Sequence, residues 1–204
     1  MSDINTVLLD RDGTLITEEH YLRDPAKVSL IAGAGPLMRR LLELDVRFFL
    51  VTNQSGIGRG LLTTDDYHRV QDRLQTLLAA EGVHLHGTAF CPHAPDRQCP
   101  CRKPGTALWR ELDREHGLNP ATTAMVGDKI SDLRFGQAAE CRETVLVLTG
   151  HGHQTAAQLG LTVPDTPLLA CPGGPDRPTW LAHSLAAYLE HLVQKKEHVH
   201  ARRI

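Results

Sequence analysis

Four short stretches of this 204-residue chain gather side chains able to do covalent or ionic chemistry. The first is Leu9-Asp10-Arg11-Asp12-Gly13-Thr14. Two carboxylates so close repel one another unless a cation lies between them. Their hard oxygens suit Mg²⁺. Asp10, at the end of an apolar run, can attack phosphorus as a carboxylate nucleophile and form an aspartyl-phosphate. Asp12, just past the turn, can protonate the leaving oxygen and afterwards activate water. Gly13 permits the sharp turn. The plain alternative is a solvated surface turn. A lone Asp-x-Asp-Gly would favour it, but the apolar run before and the partners downstream do not.

The second stretch, residues 91–101, reads Cys-Pro-His-Ala-Pro-Asp-Arg-Gln-Cys-Pro-Cys. Cys91 and His93 on one side and Cys99 and Cys101 on the other can close on one tetrahedral Zn²⁺. Four protein ligands leave no open position, so such a zinc is structural. Its role would be to fix the loop that delivers the third stretch, Arg102-Lys103-Pro104. Arg102 offers an anion a bidentate grip. In the fourth, Gly127-Asp128-Lys129-Ile130-Ser131-Asp132, Lys129 is a candidate substrate contact. Asp132 is either an acid behind the site or the first-turn acid of a helix. Cys141, Cys171 and the remaining histidines, His151 included, acquire no role from their spacing.

These stretches need a scaffold, and the chain supplies an alternating one. Residues 6–9, 46–51, 87–91, 123–126 and 144–148 read as strands, the one over 46–51 apolar on both faces. Residues 36–44, 106–116, 131–139 and 178–194 read as helices, and another runs from a capping start at Thr63 to about Glu81. Leu181, Leu185, Leu189 and Leu192 form an apolar stripe on the last of these. Alternation of this kind predicts an α/β fold, a doubly wound parallel sheet. We expect one domain over 1–204, an irregular connection over 150–178, and a frayed tail over 198–204. In such sheets the site lies at the carboxyl ends of the strands. Each stretch lies at or shortly after a predicted strand end.

Asp10-Arg11-Asp12-Gly13-Thr14 after a first strand resembles the first motif of the haloacid dehalogenase superfamily, most of whose members are phosphatases. The resemblance implies that Thr52, ending the second strand, holds the transferring phosphoryl group. It implies that Lys103 neutralises charge there, and that Asp128 completes a Mg²⁺ site with Asp10 and Asp12. The zinc-type loop and the lack of a large cap between the motifs narrow the resemblance. They point to the heptose bisphosphate phosphatases and their histidinol-phosphate phosphatase relatives. Thr52-Asn53-Gln54-Ser55-Gly56-Ile57-Gly58-Arg59-Gly60 is similar to the heptose branch. So is Glu18-Glu19-His20-Tyr21-Leu22. By that resemblance Glu18, Glu19, His20, Tyr21, Asn53, Gln54 and Ser55 join Arg102 and Lys129 as substrate contacts. The implied reaction removes one phosphate, at C7, in activated-heptose synthesis for lipopolysaccharide. Histidinol phosphate remains open as the substrate. The zinc-type loop is short, nearer the histidinol type.

Composition bounds the rest. Lys and Arg number 22 against 24 Asp and Glu, a net charge of −2, which excludes the basic balance of a general nucleic-acid binder. A DNA 3′-phosphatase is disfavoured on that ground, and a non-enzymatic zinc-dependent interaction module is the alternative of another class. No run approaches the roughly 18–20 apolar residues of a membrane span. The first residues lack the pattern of a signal peptide. Five cysteines, an odd count, argue against a disulfide framework. We therefore expect a cytoplasmic monomer acting on a small phosphorylated sugar, with Mg²⁺ catalytic and Zn²⁺ structural.

Overall fold

The apolar run Thr6–Leu9 forms β1, and all four of its side chains are buried, as a strand covered on both faces requires. The computed structural model describes residues 3–201. After β1 the chain builds α1 (Ala34–Leu42), β2 (Arg47–Asn53), the single turn α2 (Ser55–Gly58) and α3 (Thr64–Ala80). It continues with β3 (Gly87–Cys91), α4 (Ala107–His116), β4 (Thr123–Gly127), α5 (Ile130–Ala138) and β5 (Glu143–Val147). It closes with α6 (Gly152–Gln158), β6 (Leu168–Ala170), β7 (Trp180–Ala182) and α7 (Leu185–Ala201). These strands make one seven-stranded sheet in the order β3-β2-β1-β4-β5-β7-β6. The β6–β7 pair is antiparallel and the others are parallel.

Side-chain alternation along the strands divides the core. Val7 and Leu9 face α1, α3 and α7, where Met38, Leu41, Val70, Leu74, Tyr188 and Leu189 are buried. Leu8, Phe49 and Met125 face α4 and α5, against Leu108, Trp109, Leu112 and Phe135. β1 sits between β2 and β4, so the strand order reverses at its carboxyl end. That reversal opens a crevice between the loops that follow. Among the described residues, no further folded layer is inserted between β1 and β2. A short bridge from Ile16 to Leu30 and a one-turn 3-10 helix at Pro25–Lys27 precede α1.

Local signals explain the element ends. Thr63 caps α3, its hydroxyl accepting from the Asp66 N–H at 3.0 Å, while the Asp66 carboxylate accepts from the Thr63 N–H at 2.7 Å. Gly117 stops α4 with φ 58°, a left-handed turn that glycine adopts without strain.

Three expectations fail, all beyond β5. Residues 150–178 are not wholly irregular, since they contain α6 and β6. The last helix begins at Leu185 rather than at 178, because Trp180–Ala182 is a strand paired with β5. Leu181 therefore stands in the sheet, and its four-residue spacing from Leu185 is not a helical period. A three-residue strand is too short to display alternation. Residues 198–201 continue α7 rather than fraying, and residues 202–204 lie outside the described residues. No helix of the described residues is long and apolar enough to cross a membrane.

Candidate active site

Asp10 follows β1 directly, and its N–H donates to the Val126 carbonyl at 2.9 Å, which ties the turn to β4. Its carboxylate meets the buried ammonium of Lys103, with Nζ 2.7 Å from Asp10 Oδ1. The same ammonium lies 2.7 Å from Asp132 Oδ1 and donates to the Val51 carbonyl at 2.7 Å. Burial opposes ionisation of Asp10, but the positive charges of Lys103 and Lys129 outweigh it and hold the carboxyl below its ordinary value. Burial likewise opposes the Lys103 charge, and Asp10 and Asp132 reverse that and raise its pKa. For Asp132 burial wins over Lys103, so its carboxyl is pushed up.

Asp128 directly follows β4 and is fully buried. Burial, and then the neighbouring charge of Asp10, push its carboxyl to about 7. Carboxylate oxygens of Asp10, Asp128 and Asp132 come within 4.8 Å of one another. Asp12 does not join this group. Arg11 and Gln54 turn its carboxylate aside, with Arg11 Nε donating at 3.1 Å, Arg11 Nη2 at 3.2 Å and Gln54 Nε2 at 2.8 Å. Of the expected set Asp10, Asp12 and Asp128, the structure brings the carboxylates of Asp10 and Asp128 together with that of Asp132, while the Asp12 carboxylate faces Arg11 and Gln54. The reason is local, since a neighbouring guanidinium outbids the cluster for Asp12. When ionised, Asp10, Glu18, Asp128 and Asp132 carry four negative charges against two on Lys103 and Lys129. The difference, −2, and the oxygen-only donors of the three buried acids fit a hard divalent cation.

The crevice is tightly built. Gly13 has φ +80°, and a Cβ there would strike the Asp128 carboxylate and lie 3.0 Å from Gly150 Cα. The loop after β5 reinforces the approach. Thr149 Oγ1 donates to the Gly13 carbonyl at 2.6 Å, and the His151 N–H donates to Asp128 Oδ2 at 2.8 Å. Thr155 Oγ1 donates to the Asp128 carbonyl at 2.9 Å. None of these three residues is marked in the sequence, because their partners are backbone and carboxylate groups far away along the chain.

The cleft above these groups has a volume of about 220 Å³. Asp10, Asp12, Thr52, Asn53, Gln54, Ser55, Arg102, Lys103 and Lys129 line it, as do Glu18, Glu19, His20, Tyr21 and His151. The predicted residues outside the zinc-type loop, Asp128 apart, thus line one cleft, and Asp128 lies against two neighbours of that lining, Asp10 and Lys129. Lys129 Nζ lies 3.1 Å and 3.3 Å from the two Asp128 oxygens and 3.6 Å from Glu18. Burial opposes its charge, and the surrounding acids outweigh that and raise its pKa. Burial pushes the Glu18 carboxyl up. Arg59 Nη1 donates to the Tyr21 hydroxyl at 2.9 Å at the edge.

Two of the expected substrate contacts are engaged within the protein. Asn53 donates to the Lys103 carbonyl at 3.2 Å and accepts from the Lys103 N–H at 3.0 Å. It acts as a clamp that seats the Lys103 backbone. Gln54 Nε2 also donates to Thr52 Oγ1, at 3.0 Å. Asp132 unites both of its sequence readings. Its Oδ2 caps α5 by accepting from the Lys129 N–H at 3.0 Å, while Oδ1 faces Lys103.

The four zinc-type residues meet at one point. Cys101 Sγ lies 3.3 Å from Cys91 Sγ, 3.5 Å from Cys99 Sγ and 3.2 Å from His93 Nδ1. Cys91 Sγ lies 3.7 Å from Cys99 Sγ and 3.6 Å from His93 Nδ1. Ligands at the usual Zn–S length in a tetrahedron stand about 3.7 Å apart, so the cluster fits zinc. Burial pushes the Cys91 thiol up to about 12, a cost that a bound divalent cation removes by stabilising the thiolate. The loop is tied to the cleft by backbone bonds, from the Gln54 N–H to the Cys91 carbonyl at 2.7 Å and from the Gly58 N–H to the Pro92 carbonyl at 2.8 Å.

A family model, HAD-hydrolase-like, matches residues 100–187, from the zinc-type loop through β7. The D-glycero-β-D-manno-heptose-1,7-bisphosphate 7-phosphatase of Bordetella bronchiseptica is 33% identical over 190 residues, 93% of this chain and 98% of its own. The chain belongs to this family of HAD-like phosphatases. The Pasteurella multocida enzyme of the same name is 35% identical over 150 residues, covering 71% of this chain and 82% of its own. The solved B. bronchiseptica heptose bisphosphate phosphatase, complexed with magnesium and phosphate, superposes with a TM-score of 0.80 at 32% identity, over 94% of this chain and 99% of that one. Membership carries the enzyme class, a phosphoric monoester hydrolase, and agrees with the mostly parallel sheet flanked by helices.

Proposed function

We propose that this chain hydrolyses the C7 phosphate of D-glycero-D-manno-heptose 1,7-bisphosphate through an aspartyl-phosphate on Asp10, leaving heptose 1-phosphate for activated-heptose synthesis. The observation that carries the reading is the convergence of Asp10, Thr52 and Lys103 on one small cleft, with the Asp128 carboxylate close to that of Asp10. The near full-length likeness to the B. bronchiseptica enzyme supports the choice of sugar, and the relatives' names support the β anomer.

In the proposed reaction an Asp10 oxygen attacks phosphorus while Asp12 gives a proton to the departing C7 oxygen. Lys103 keeps Asp10 ionised and offers its charge to the phosphoryl oxygens. Thr52 Oγ1 accepts from Gln54, which leaves its own O–H to donate to the phosphoryl group. Asp12 then takes a proton from water as that water attacks the aspartyl-phosphate. Asp10, Asp12 and Asp128, with Asp132 near, would hold a Mg²⁺ whose positive charge would be available to the phosphoryl group. Arg102 has a buried Nη1 without a partner among the described residues, and with Lys129 it is suited to the remaining phosphate. Glu18, Glu19, His20, Tyr21 and Ser55 would face the sugar. Zinc on Cys91, His93, Cys99 and Cys101 would hold Arg102 and Lys103 in register. Thiolates of this kind persist in a reducing compartment, which supports a cytoplasmic setting.

Phosphate release from a panel of the heptose bisphosphate, histidinol phosphate and a 3′-phosphorylated DNA nick tests the proposal. Mg²⁺-dependent preference for the heptose bisphosphate is the expected result. A large preference for histidinol phosphate or for DNA overturns it.

A further inference from the structure

Arg11 is 1% exposed, although among the described residues its one ionic partner is its own neighbour, Asp12. Desolvating a guanidinium costs several kcal/mol, and a pair between adjacent residues joins no two elements of the fold. The effect of this pair falls on Asp12 itself. Nε and Nη2 grip the two carboxylate oxygens at 3.1 Å and 3.2 Å, which fixes the carboxylate plane. Gln54 Nε2 holds Oδ2 from the other side at 2.8 Å. The guanidinium in turn rests on the Tyr67 ring of α3, with Cζ 5.4 Å from the centroid, a cation–π distance. Tyr67 is itself buried and stacked on Phe90 at 4.1 Å and 24°.

We propose that Arg11, backed by Tyr67, is a positioning residue that aims the Asp12 carboxyl at the departing oxygen. The proposal rests on the reading of Asp12 as acid and base. In the first step an Asp10 oxygen–phosphorus bond forms and the ester P–O bond breaks. The Asp12 proton goes to the ester oxygen, which leaves as an alcohol. In the second step water attacks phosphorus and its proton returns to Asp12. The Asp10–phosphorus bond breaks, and inorganic phosphate and the free Asp10 carboxylate result. A carboxyl free to rotate would meet that oxygen in a fraction of encounters. Arg11 removes the rotation.

A leaving group that needs no proton separates this role from a merely structural one. First-step rates are measured by quenched flow for Arg11→Met, Arg11→Lys and Asp12→Asn, with Mg²⁺ present. One substrate is mannose 6-phosphate, whose leaving group is an alcohol. The other is p-nitrophenyl phosphate, whose nitrophenolate departs unprotonated. Arg11→Met should lose about 100-fold on the sugar phosphate, within the range of general acid catalysis, while keeping most of the nitrophenolate burst. Arg11→Lys, which keeps the charge without the fork, should lie between and carries the test should Arg11→Met not fold. Equal losses on both substrates, or none on either, in a folded variant with a selective Asp12→Asn overturn the positioning role alone. An Asp12→Asn variant that treats the two leaving groups alike overturns the acid–base reading beneath it.

Discussion

Replacing Lys103 with methionine removes one positive charge from between two buried carboxylates and leaves the volume nearly unchanged. Lys103 Nζ stands 2.7 Å from both Asp10 Oδ1 and Asp132 Oδ1, and its side chain is 1% exposed. At an effective dielectric constant near 20, each pair attracts by about 6 kcal/mol at that distance, and desolvation of the three groups offsets most of it. Deleting one partner of a buried pair costs about 3–5 kcal/mol, since a buried charge is left uncompensated. That is a large part of the roughly 5–15 kcal/mol that holds a domain folded. We expect Lys103→Met to fold and to lose about 3–5 kcal/mol at pH 8. The loss should shrink on acidification. In the wild type the Asp10 pKa is depressed on folding, so its contribution is present above the unfolded carboxyl value and lost only as pH falls through the folded one. In the variant, burial without the ammonium raises the folded carboxyl pKa values, and the penalty is relieved as protons bind. Urea unfolding followed by far-UV circular dichroism at pH 8 and pH 5.5, without added Mg²⁺, measures both quantities. A loss below about 1 kcal/mol, the same at both pH values, would refute the reasoning from a buried charge triad. Phosphate release should meanwhile fall by at least about 10³-fold, in the range for loss of a positioned charge in phosphoryl transfer.

Gly13→Ala forces a side chain at φ +80° into the Asp128 carboxylate, so it should raise the Mg²⁺ concentration for half-maximal activity at least about 10-fold and cost about 1–3 kcal/mol. Activity that saturates at the wild-type Mg²⁺ level would contradict the packing described. Metal analysis should find about one zinc per chain, and Cys99→Ser should lose that zinc and lower the thermal midpoint; free thiols titrating in the wild type with no zinc present would defeat this. His86 and His191 have pKa values lowered first by burial and then by the charges of His84 and Lys195 respectively. Their contribution is complete above the ordinary histidine value and is lost as pH falls through it toward the folded value. Asp128, raised to about 7, works in the opposite direction as pH falls, so the histidine contribution is read as a difference. From pH 7 to pH 5.5 the urea midpoint of His191→Phe should rise relative to that of the wild type; an unchanged difference would contradict it.

The strands that carry the chemistry were legible because they have apolar centres and end at or beside marked residues. β1, β2 and β4 lie within a residue or two of their expected limits, with Asp10, Thr52 and Asp128 at or just past their ends. Beyond β5 the signals failed. β6 and β7 have three residues each, and β6 lies half exposed at the sheet edge, so neither shows a period. Five prolines and two glycines over residues 164–178 suggested irregularity where an edge strand forms.

Residue chemistry and local spacing by themselves marked a carboxylate nucleophile with an acid two residues on, and a group of three thiols and an imidazole. Carboxylates two apart, and thiols two apart from another ligand, are constrained by a few bonds of intervening chain. The tertiary structure alone decided which acid faces which cation. Asp12 goes to Arg11 and Gln54 rather than to the acidic group, and Asp132 takes the third place there beside Lys103. His151, dismissed on its spacing, holds Asp128 through its backbone. Electrostatic partnership in a buried site depends on distances of a few ångströms and on the loss of water, and both arise only when loops from separate strands meet.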